Sequence, residues 1–229
     1  MKTIGLIGGM SWLSTIDYYR LLNEMVNERL GGTEAGKIII YSVNFGEIKI
    51  LTEEDRWNEI AKLICNAAKK LEAAGADCIL IGANTMYKIA GEVQEAVSIP
   101  VIHVAEEVAK EINKKKLTTV ALLGTKYTMQ MDFYKDKLSK QGIATIIPGK
   151  EEIEMINNAI YTEMGRGIFL PETKEKFLNI ISRLIDQGAE GIILGCTEIP
   201  ILIKREDCTV PVFDTTRIHA SSAVAFALQ

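Results

Sequence analysis

One residue in this chain is of the right type and in the right place for acid/base chemistry. Cys196 lies in the stretch Gly195-Cys196-Thr197-Glu198, directly after the apolar run 191–194. A thiol between a buried strand and a helix lies near free backbone N–H groups and the positive end of the helix dipole, so we expect its pKa to be below the free value of about 8.5. The alternative is an inert apolar cysteine, which is the usual role of a buried thiol.

An earlier stretch has the same shape but no thiol. When residues 75–85 are placed over residues 188–198, Gly82 meets Gly195 and Ala83 meets Cys196. Asn84 and Thr85 follow, and short polar side chains at a helix N-terminus suit a substrate carboxylate. Helix capping accounts for the same two residues equally well. The sequence therefore predicts two matching strand ends, only one of which carries a thiol.

Other turns supply weaker candidates for binding a ligand. The turn at residues 8–11 is rich in glycine, so a ligand can approach its backbone, but it lacks the GxGxxG spacing of a dinucleotide site. The turn at residues 124–128 carries several hydroxyl groups. Side chains that could reach a ligand from these turns and from the segments at 45–57 and 165–167 are Met10, Lys49, Thr52, Arg56, Thr125 and Arg166.

Apolar runs that alternate with amphipathic patterns predict an α/β fold with parallel sheets covered by helices on both faces. The predicted strands are residues 3–7, 37–44, 78–81, 100–104, 118–125, 144–148, 191–194 and 210–214. Helices are predicted at residues 13–30, 52–74, 87–96, from 126 to about 138, from 151 onward and at 173–187, and a last small helix follows the final strand. The first is capped by Ser11 or Ser14, and the second is one long helix.

The succession of elements occurs twice, which predicts two weakly similar half-domains. The first comprises residues 1–100 plus 211–229, and the second comprises residues 101–210. Ligands of such sheets bind beyond the carboxyl ends of the strands. If the halves are related by a local twofold axis, we expect the turns at 8–11, 82–85, 124–128 and 195–198 to converge on one cleft.

The composition excludes several classes of function. The 229 residues carry a net charge of −4 without a basic patch, which argues against nucleic acid as a partner. No apolar run approaches the ~20 residues of a membrane span, and the N-terminus is interpreted as the first strand of a cytoplasmic protein. The cysteines form no CxxC pair and lie far from His103 and His219, so we expect no metal site and structural roles for both histidines.

The turns taken together resemble the aspartate/glutamate racemase family over essentially the whole chain. The matching motifs are Gly8-Gly9-Met10, Asn84-Thr85-Met86, Gly195-Cys196-Thr197-Glu198 and Val212-Phe213-Asp214. The resemblance implies two Rossmann-like half-domains related by a pseudo-twofold axis, an active site between them and usually a homodimer. It also implies catalysis without pyridoxal phosphate or another cofactor, on a small amino-acid or dicarboxylate substrate.

The family's chemistry removes the Cα proton from one face of the substrate and returns a proton to the other face, typically with two cysteines. The resemblance implies that Cys196 is one of them, whereas Ala83 occupies the position of the other and Tyr87 stands where histidine is common. Proton transfer by positioned groups contributes ~10²–10⁴-fold to a rate. The expected substrate-binding residues are Met10, Thr52, Asn84, Thr85, Thr125 and Thr197.

Three interpretations of the missing thiol remain open at this point. Racemisation could persist with water, Thr85 or Tyr87 as a poorer partner for Cys196. Cys196 could instead serve one face only, as in a decarboxylase or a one-sided isomerase. In the third interpretation the protein binds an amino acid or dicarboxylate without converting it.

Overall fold

Seven strands in two separate parallel sheets form the framework of the protein. The computed structural model describes all 229 residues, Met1–Gln229. The strands are β1 (Ile4–Gly8), β2 (Ile38–Ser42), β3 (Cys78–Ile81), β4 (Thr119–Gly124), β5 (Ala144–Ile146), β6 (Ile192–Gly195) and β7 (Val212–Asp214). One sheet has the order β2-β1-β3 and the other has the order β5-β4-β6-β7, with every pair parallel. The predicted α/β class with two parallel sheets is confirmed.

Helices connect successive strands and cover the sheets. They are α1 (Trp12–Leu30), α2 (Phe45–Glu53), α3 (Trp57–Ala73), α4 (Ala90–Ala96), α5 (Val104–Lys114), α6 (Lys126–Gln130), α7 (Asp132–Ser139), α8 (Lys150–Thr162), α9 (Pro171–Asp186), α10 (Ile199–Leu202) and α11 (Thr215–Ala227). Three short 3₁₀ segments occur at Asn84–Ile89, Met164–Arg166 and Arg205–Asp207. No helix is both long enough and apolar enough to span a membrane.

The chain divides into two compact units. Unit 1 comprises Met1–His103 and His219–Gln229, and unit 2 comprises Val104–Ile218. Residues 211–218, which the sequence pattern assigned to the first half, belong to unit 2. The reason is that β7 is hydrogen-bonded to β6, with Ile193 beside Phe213.

In unit 1, β1 and β3 are buried along their whole length because they are covered on both faces. The core on one face joins these strands to the inner side of α1 and to the C-terminal part of α11. Helix α1 begins where predicted, because the Ser11 side chain accepts a hydrogen bond from the Ser14 N–H and caps it. Gly9, in the turn before it, has φ +90°, and a Cβ there would lie 2.2 Å from the Val43 carbonyl oxygen, so only glycine fits.

In unit 2, β4 and β6 form the buried centre of the sheet. Apolar side chains from α8 and α9, with Ile192 and Leu194 of β6, make the principal core of this unit, and Phe177 is fully buried within it. Helix α9 begins at Pro171, where proline's missing N–H costs nothing because the first helical N–H groups have no partner in the helix.

Three predicted elements are wrong. The helix predicted from 126 to about 138 is two helices, α6 and α7, because Met131 between them is extended (φ −74°, ψ 156°). The long helix predicted at 52–74 is two helices, because Asp55 adopts a left-handed conformation (φ 56°) between α2 and α3. The strand predicted at 100–104 is a single bridge between Val101 and Ile79. Its last residue instead begins α5, a helix that the sequence reading missed, whose buried positions at Val104, Ala105, Val108, Ala109 and Ile112 recur at helical spacing.

Candidate active site

The carboxyl ends of β4 and β6 bring Thr125 and Cys196 side by side. Gly124 and Gly195 are partners in the parallel ladder, and each is followed directly by one of these residues. The strands approach so closely that a Cβ on Gly195 would lie 2.7 Å from the Leu123 carbonyl oxygen. Glycine at this position therefore permits the strand ends to meet and places the thiol at the edge of the sheet where ligands bind in α/β folds.

The Cys196 thiol makes a hydrogen bond with a carboxylate two residues further along the chain. Its Sγ donates to Oε2 of Glu198 at 3.0 Å, and the Thr197 hydroxyl donates to the same oxygen at 2.7 Å. All three residues are buried, with exposed fractions of 8% for Cys196 and 4% for Glu198. The thiol, the hydroxyl and the carboxylate thus form a compact buried cluster, which we call the β6-end cluster.

The pKa of Cys196 lies well above its ordinary value, contrary to the sequence prediction. Burial is the largest cause, because it disfavours the charged thiolate, and the charge and hydrogen bond of Glu198 act in the same direction. The backbone N–H groups of Thr197 and Glu198 lower the pKa, but their effect is smaller. Helix α10 has only four residues and begins three positions after the thiol, so a helix dipole contributes little here. The resting residue is a protonated thiol.

Glu198 is the site residue that the sequence reading missed. The motif was recognised, but no role was assigned to its last member. The available signal was a carboxylate two residues after the candidate thiol. Such a carboxylate can reach back to the sulfur only when the chain turns after β6, and the turn is a property of the fold.

Thr125 caps helix α6, so the capping role accounts for its position. Its side chain accepts a hydrogen bond from the Thr128 N–H at 3.3 Å, and the two hydroxyl oxygens lie 3.2 Å apart. Thr125 is buried at 7% exposure, next to Cys196 in the ladder register. The binding role of Thr125 stays a prediction, and the structure gives this residue a local role in the fold.

In unit 1, the matching strand end carries Ala83. This residue is extended (φ −152°, ψ 124°) and leads into the 3₁₀ segment Asn84–Ile89, in which Asn84 and Thr85 are buried. β3 runs beside β1 with Ile81 opposite Ile7, so this segment lies at the same edge of the sheet as the turn that holds Met10. A methyl group stands at the position that corresponds to the thiol.

Thr52 lies in the last turn of α2, the helix that follows β2 in unit 1. It is buried, and its hydroxyl donates to the Ile48 carbonyl oxygen at 2.7 Å. This back-bond engages the hydroxyl proton inside the helix, which leaves the oxygen lone pairs as the part of Thr52 that can interact further.

The Tyr87 hydroxyl is part of the structure of unit 1. It donates to the Ile102 carbonyl at 2.9 Å and accepts from the Ile81 N–H at 3.3 Å. It also lies 3.0 Å from Nε2 of His219, which itself lies 2.8 Å from the Ile102 carbonyl. Since a carbonyl only accepts, Nε2 of His219 carries the hydrogen.

The other ring nitrogen of His219, Nδ1, therefore accepts a hydrogen bond from the Tyr18 hydroxyl, at 2.8 Å. His219 is fully buried, and burial lowers its pKa to about 4. The neutral ring links α11 to the chain before α5 and to α1 within this unit. These contacts give His219 a structural role.

The basic candidates differ in what they contact. Lys49 pairs with Glu53 at 2.6 Å, and Arg56 pairs with Glu54 and Glu59 on the surface. Arg166 is exposed at the end of its 3₁₀ segment and makes no ion pair. No group of three or more His, Cys, Asp or Glu side chains is arranged to hold a metal ion.

The sequence model of the family described as Asp/Glu/hydantoin racemase matches residues 7–223. The chain belongs to this family. It is 29% identical over 168 residues to the broad-specificity amino-acid racemase RacX of Bacillus subtilis, covering 73% of this chain and 72% of that protein.

Solved structures agree with this assignment. A candidate Asp/Glu racemase from Yersinia pestis shares 45% identity with a TM-score of 0.93, and all of both chains is covered. An aspartate racemase homologue from Pyrococcus horikoshii shares 38% identity with a TM-score of 0.87, again over all of both chains. A third structure, an aspartate racemase from Picrophilus torridus, is 22% identical and shows the shared fold alone.

Proposed function

We propose that the protein is a cofactor-independent amino-acid racemase of the aspartate/glutamate type, with Cys196 as its acid/base. The observation that carries the proposal is the hydrogen bond from the Cys196 thiol to Glu198, at the carboxyl end of a central strand. An inert core cysteine has no need of a buried carboxylate partner. Family membership supports the reaction class, and the β6-end cluster supports the residue.

The proposed reaction moves a proton on and off Cα of a small acidic amino acid. A protonated thiol donates to a carbanion, and the thiolate that remains can take the proton back. Carbanion formation spreads negative charge into the substrate carboxylate, so hydrogen-bond donors near that carboxylate favour the reaction. We propose Met10, Thr52, Asn84, Thr85, Thr125 and Thr197 as the residues that bind the substrate.

Ala83 favours a second candidate function, exchange on one face without efficient inversion. Inversion needs a proton donor on the opposite face of the carbanion, and the methyl group of Ala83 cannot supply one. The Tyr87 hydroxyl is already held by Ile81, Ile102 and His219, so it is a poor replacement. We therefore expect proton exchange to exceed racemisation.

Incubation of L- and D-aspartate and L- and D-glutamate in heavy water tests the proposal, with chiral chromatography and mass spectrometry as the readout. A racemase gives both enantiomers with deuterium at Cα. A one-sided catalyst gives deuterium without inversion. Thermal stabilisation by an amino acid, of order RT ln(1 + [L]/Kd), without any exchange would instead identify a binding protein. Release of carbon dioxide from a dicarboxylic acid would identify a decarboxylase.

We also propose, from the family resemblance, that the protein acts in the cytoplasm as a homodimer. Light scattering coupled to size-exclusion chromatography tests the oligomer, because a single chain has a mass of 25.3 kDa. A mass of one chain at working concentrations contradicts the dimer and leaves the proposed chemistry to be judged by the exchange experiment.

A further inference from the structure

Helix α1 of unit 1 exposes large apolar side chains along one face. Trp12, Ile16 and Tyr19 are 62%, 55% and 53% exposed, and their spacing of four and then three residues places them on the same face of the helix. The next position on this face is Asn23, whose side-chain oxygen accepts a hydrogen bond from the Gly36 N–H just before β2. The exposed face of α1 therefore lies on the side toward β2.

Strand β2 adds an isoleucine to this apolar surface. Ile38 packs against the core that α1 covers, so Ile40, two residues further along the strand, lies on the same face of the sheet. Ile40 is 39% exposed. Trp12, Ile16, Tyr19 and Ile40 together form a surface that we call the α1/β2 patch.

The outer edge of β2 is open, because this strand is the last in the order β2-β1-β3. The Lys37 C=O and the Val43 N–H are bonded to β1, so the alternation along the strand directs the backbone groups of Ile38, Ile40 and Ser42 outward. Natural edge strands are commonly protected from pairing by a charge, a proline or a bulge. Strand β2 has the sequence Ile-Ile-Ile-Tyr-Ser and carries neither a charge nor a proline. Its edge is thus suited to pairing with another strand.

We propose that the α1/β2 patch and the open edge of β2 form the surface on which a second copy of this chain binds. The β2 strands of the two copies pair antiparallel about a twofold axis that passes beside Ile40, so that outward N–H groups of one copy meet outward C=O groups of the other. Ile40 then lies next to its counterpart, and the exposed faces of the two α1 helices cover this pair. The proposal rests on the homodimer proposed above and does not depend on the proposed reaction.

The size of the α1/β2 patch matches what a dimer needs. At their exposed fractions, the four side chains present about 400 Å² of apolar surface, given roughly 150–250 Å² for a whole aromatic side chain. A standard interface buries about 800 Å² per partner, of which about 60% is apolar. The patch therefore supplies most of the apolar area of such an interface, and the strand edge supplies hydrogen bonds.

The charges beside the patch favour a second copy over a lipid surface. Arg20 pairs with Asp17 and Glu24 on the outer side of α1, at 3.2 and 2.7 Å. Helices that lie on membranes are rich in Lys and Arg on their polar face, whereas this helix presents both signs. Two copies that each carry both signs are able to meet with opposite charges near one another.

The variant Ile40→Lys tests the strand edge. In a single chain the long side chain can place its ammonium group in water from this edge position, but in the proposed dimer two like charges meet at the twofold axis. We expect the dissociation constant of the dimer to rise at least ~100-fold. Light scattering coupled to size-exclusion chromatography over a range of concentrations measures this change, with 25.3 kDa as the mass of one chain.

The variant Ile16→Lys tests the helix part of the patch. Ile16 is more than half exposed, so the substitution leaves the folded chain intact, and we expect the dissociation constant to rise about tenfold as an apolar contact is lost. Ile50→Lys is the matched control. Ile50 is 54% exposed on α2, outside the patch, and its substitution should leave the dissociation constant unchanged.

The variant Ile40→Cys tests the pairing of the strands. Residues that face each other as a hydrogen-bonded antiparallel pair have Cα atoms about 5.5 Å apart, which is within the range of a disulfide. Mild oxidation should therefore link two chains of Ile40→Cys, as seen by electrophoresis without reducing agent. The same treatment of Ile50→Cys should give no more linked chains than the unaltered protein gives.

A dimer that weakens in Ile40→Lys and Ile16→Lys but not in Ile50→Lys supports the proposal. A dimer that persists in Ile40→Lys overturns it and places the interface elsewhere. A mass of one chain for the unaltered protein at every concentration also overturns it, and cosedimentation of that chain with phosphatidylcholine/phosphatidylserine vesicles would assign the patch to a lipid surface. Deuterium exchange at Cα of aspartate, measured on the same samples, tests the proposed reaction separately.

Discussion

The ends of β3 and β6 have the same local architecture and different chemistry. Both strands are fully buried and run beside the first strand of their unit. β6 ends in Gly195 and β3 is followed directly by Gly82, and each glycine lies against a neighbouring carbonyl. After β6, the chain places a thiol against the carboxylate of Glu198. After β3, it places the methyl group of Ala83 before a buried 3₁₀ segment.

The fold gives the ends of β3 and β6 equivalent positions, and the side chain placed there determines whether the strand end can transfer a proton. The polar groups behind the β3 end, Tyr87 and His219, are hydrogen-bonded to each other and to the backbone, which stabilises unit 1. The polar groups of Thr197 and Glu198 at the β6 end instead belong to the β6-end cluster, which surrounds one titratable thiol. We therefore expect substitutions at the β6 end to change proton exchange and those behind the β3 end to change stability.

The largest expected effect follows removal of the thiol. Cys196→Ala should reduce deuterium exchange at Cα by ~10²–10⁴-fold, because it removes the group that gives and takes the Cα proton. Cys208→Ala is the matched control, since it removes another buried thiol of unit 2 and should leave exchange unchanged. Exchange that survives in Cys196→Ala would show that the two strand ends do not differ in function.

Restoring a thiol at the β3 end should reduce the difference between the two ends. Ala83→Cys should raise the rate of inversion by ~10²-fold relative to the rate of exchange, because a second acid/base then becomes available. Chiral chromatography of aspartate provides the measurement. Ala73→Cys adds an exposed thiol to the same unit and should not alter the ratio. An unchanged ratio in Ala83→Cys would show that the missing thiol does not limit inversion.

Acid should destabilise unit 1 through His219. The pKa of this ring is about 4 in the folded protein and about 6.5 when unfolded, so between these values the unfolded chain binds more protons. Stability therefore falls as the pH drops below about 6.5, by about 2–3 kcal/mol at pH ~4.5. Guanidinium denaturation at about pH 6.5 and at pH ~4.5 measures this loss of stability. His219→Gln should show a smaller loss between the two conditions, and an equal loss would assign the acid sensitivity to other groups.

The smallest expected effect concerns the Tyr87 hydroxyl. Tyr87→Phe should lower the free energy of unfolding by about 1–2 kcal/mol, because the buried Ile81 N–H loses its partner. Tyr134→Phe is the control in unit 2, since the buried Tyr134 hydroxyl has no hydrogen-bond partner and its removal should cost little. Exchange should be unchanged in both variants. A loss of exchange in Tyr87→Phe would instead give the hydroxyl a part in catalysis.

The sequence predicted the features that depend on local pattern. Buried apolar runs between helical periodicities indicated the parallel sheets. Ser11 and Ser14 were the two candidate caps for the start of α1, and Ser11 is the cap. The break between α2 and α3 escaped detection because a left-handed residue such as Asp55 leaves no composition signal. Val101 and its neighbours read as a strand because short apolar runs occur in strands and helices alike.

At the candidate site, the sequence predicted the position of the key residue more readily than the direction of its pKa shift. The position of Cys196 after a strand was visible in the sequence, and a lowered pKa was a reasonable expectation for a thiol before a helix. The actual direction is opposite, because burial and the charge of Glu198 outweigh the N–H groups. Neither the degree of burial nor the path of the chain after Gly195 can be read from residue types alone.

The central claim is that Cys196 is the one thiol that the chemistry needs. The most direct measurement uses a variant that keeps only this cysteine, with alanine at positions 65, 78 and 208, and follows deuterium uptake at Cα of aspartate. The account predicts that this folded variant exchanges at a rate close to that of the unaltered protein. A folded variant that retains Cys196 and has lost exchange would contradict it.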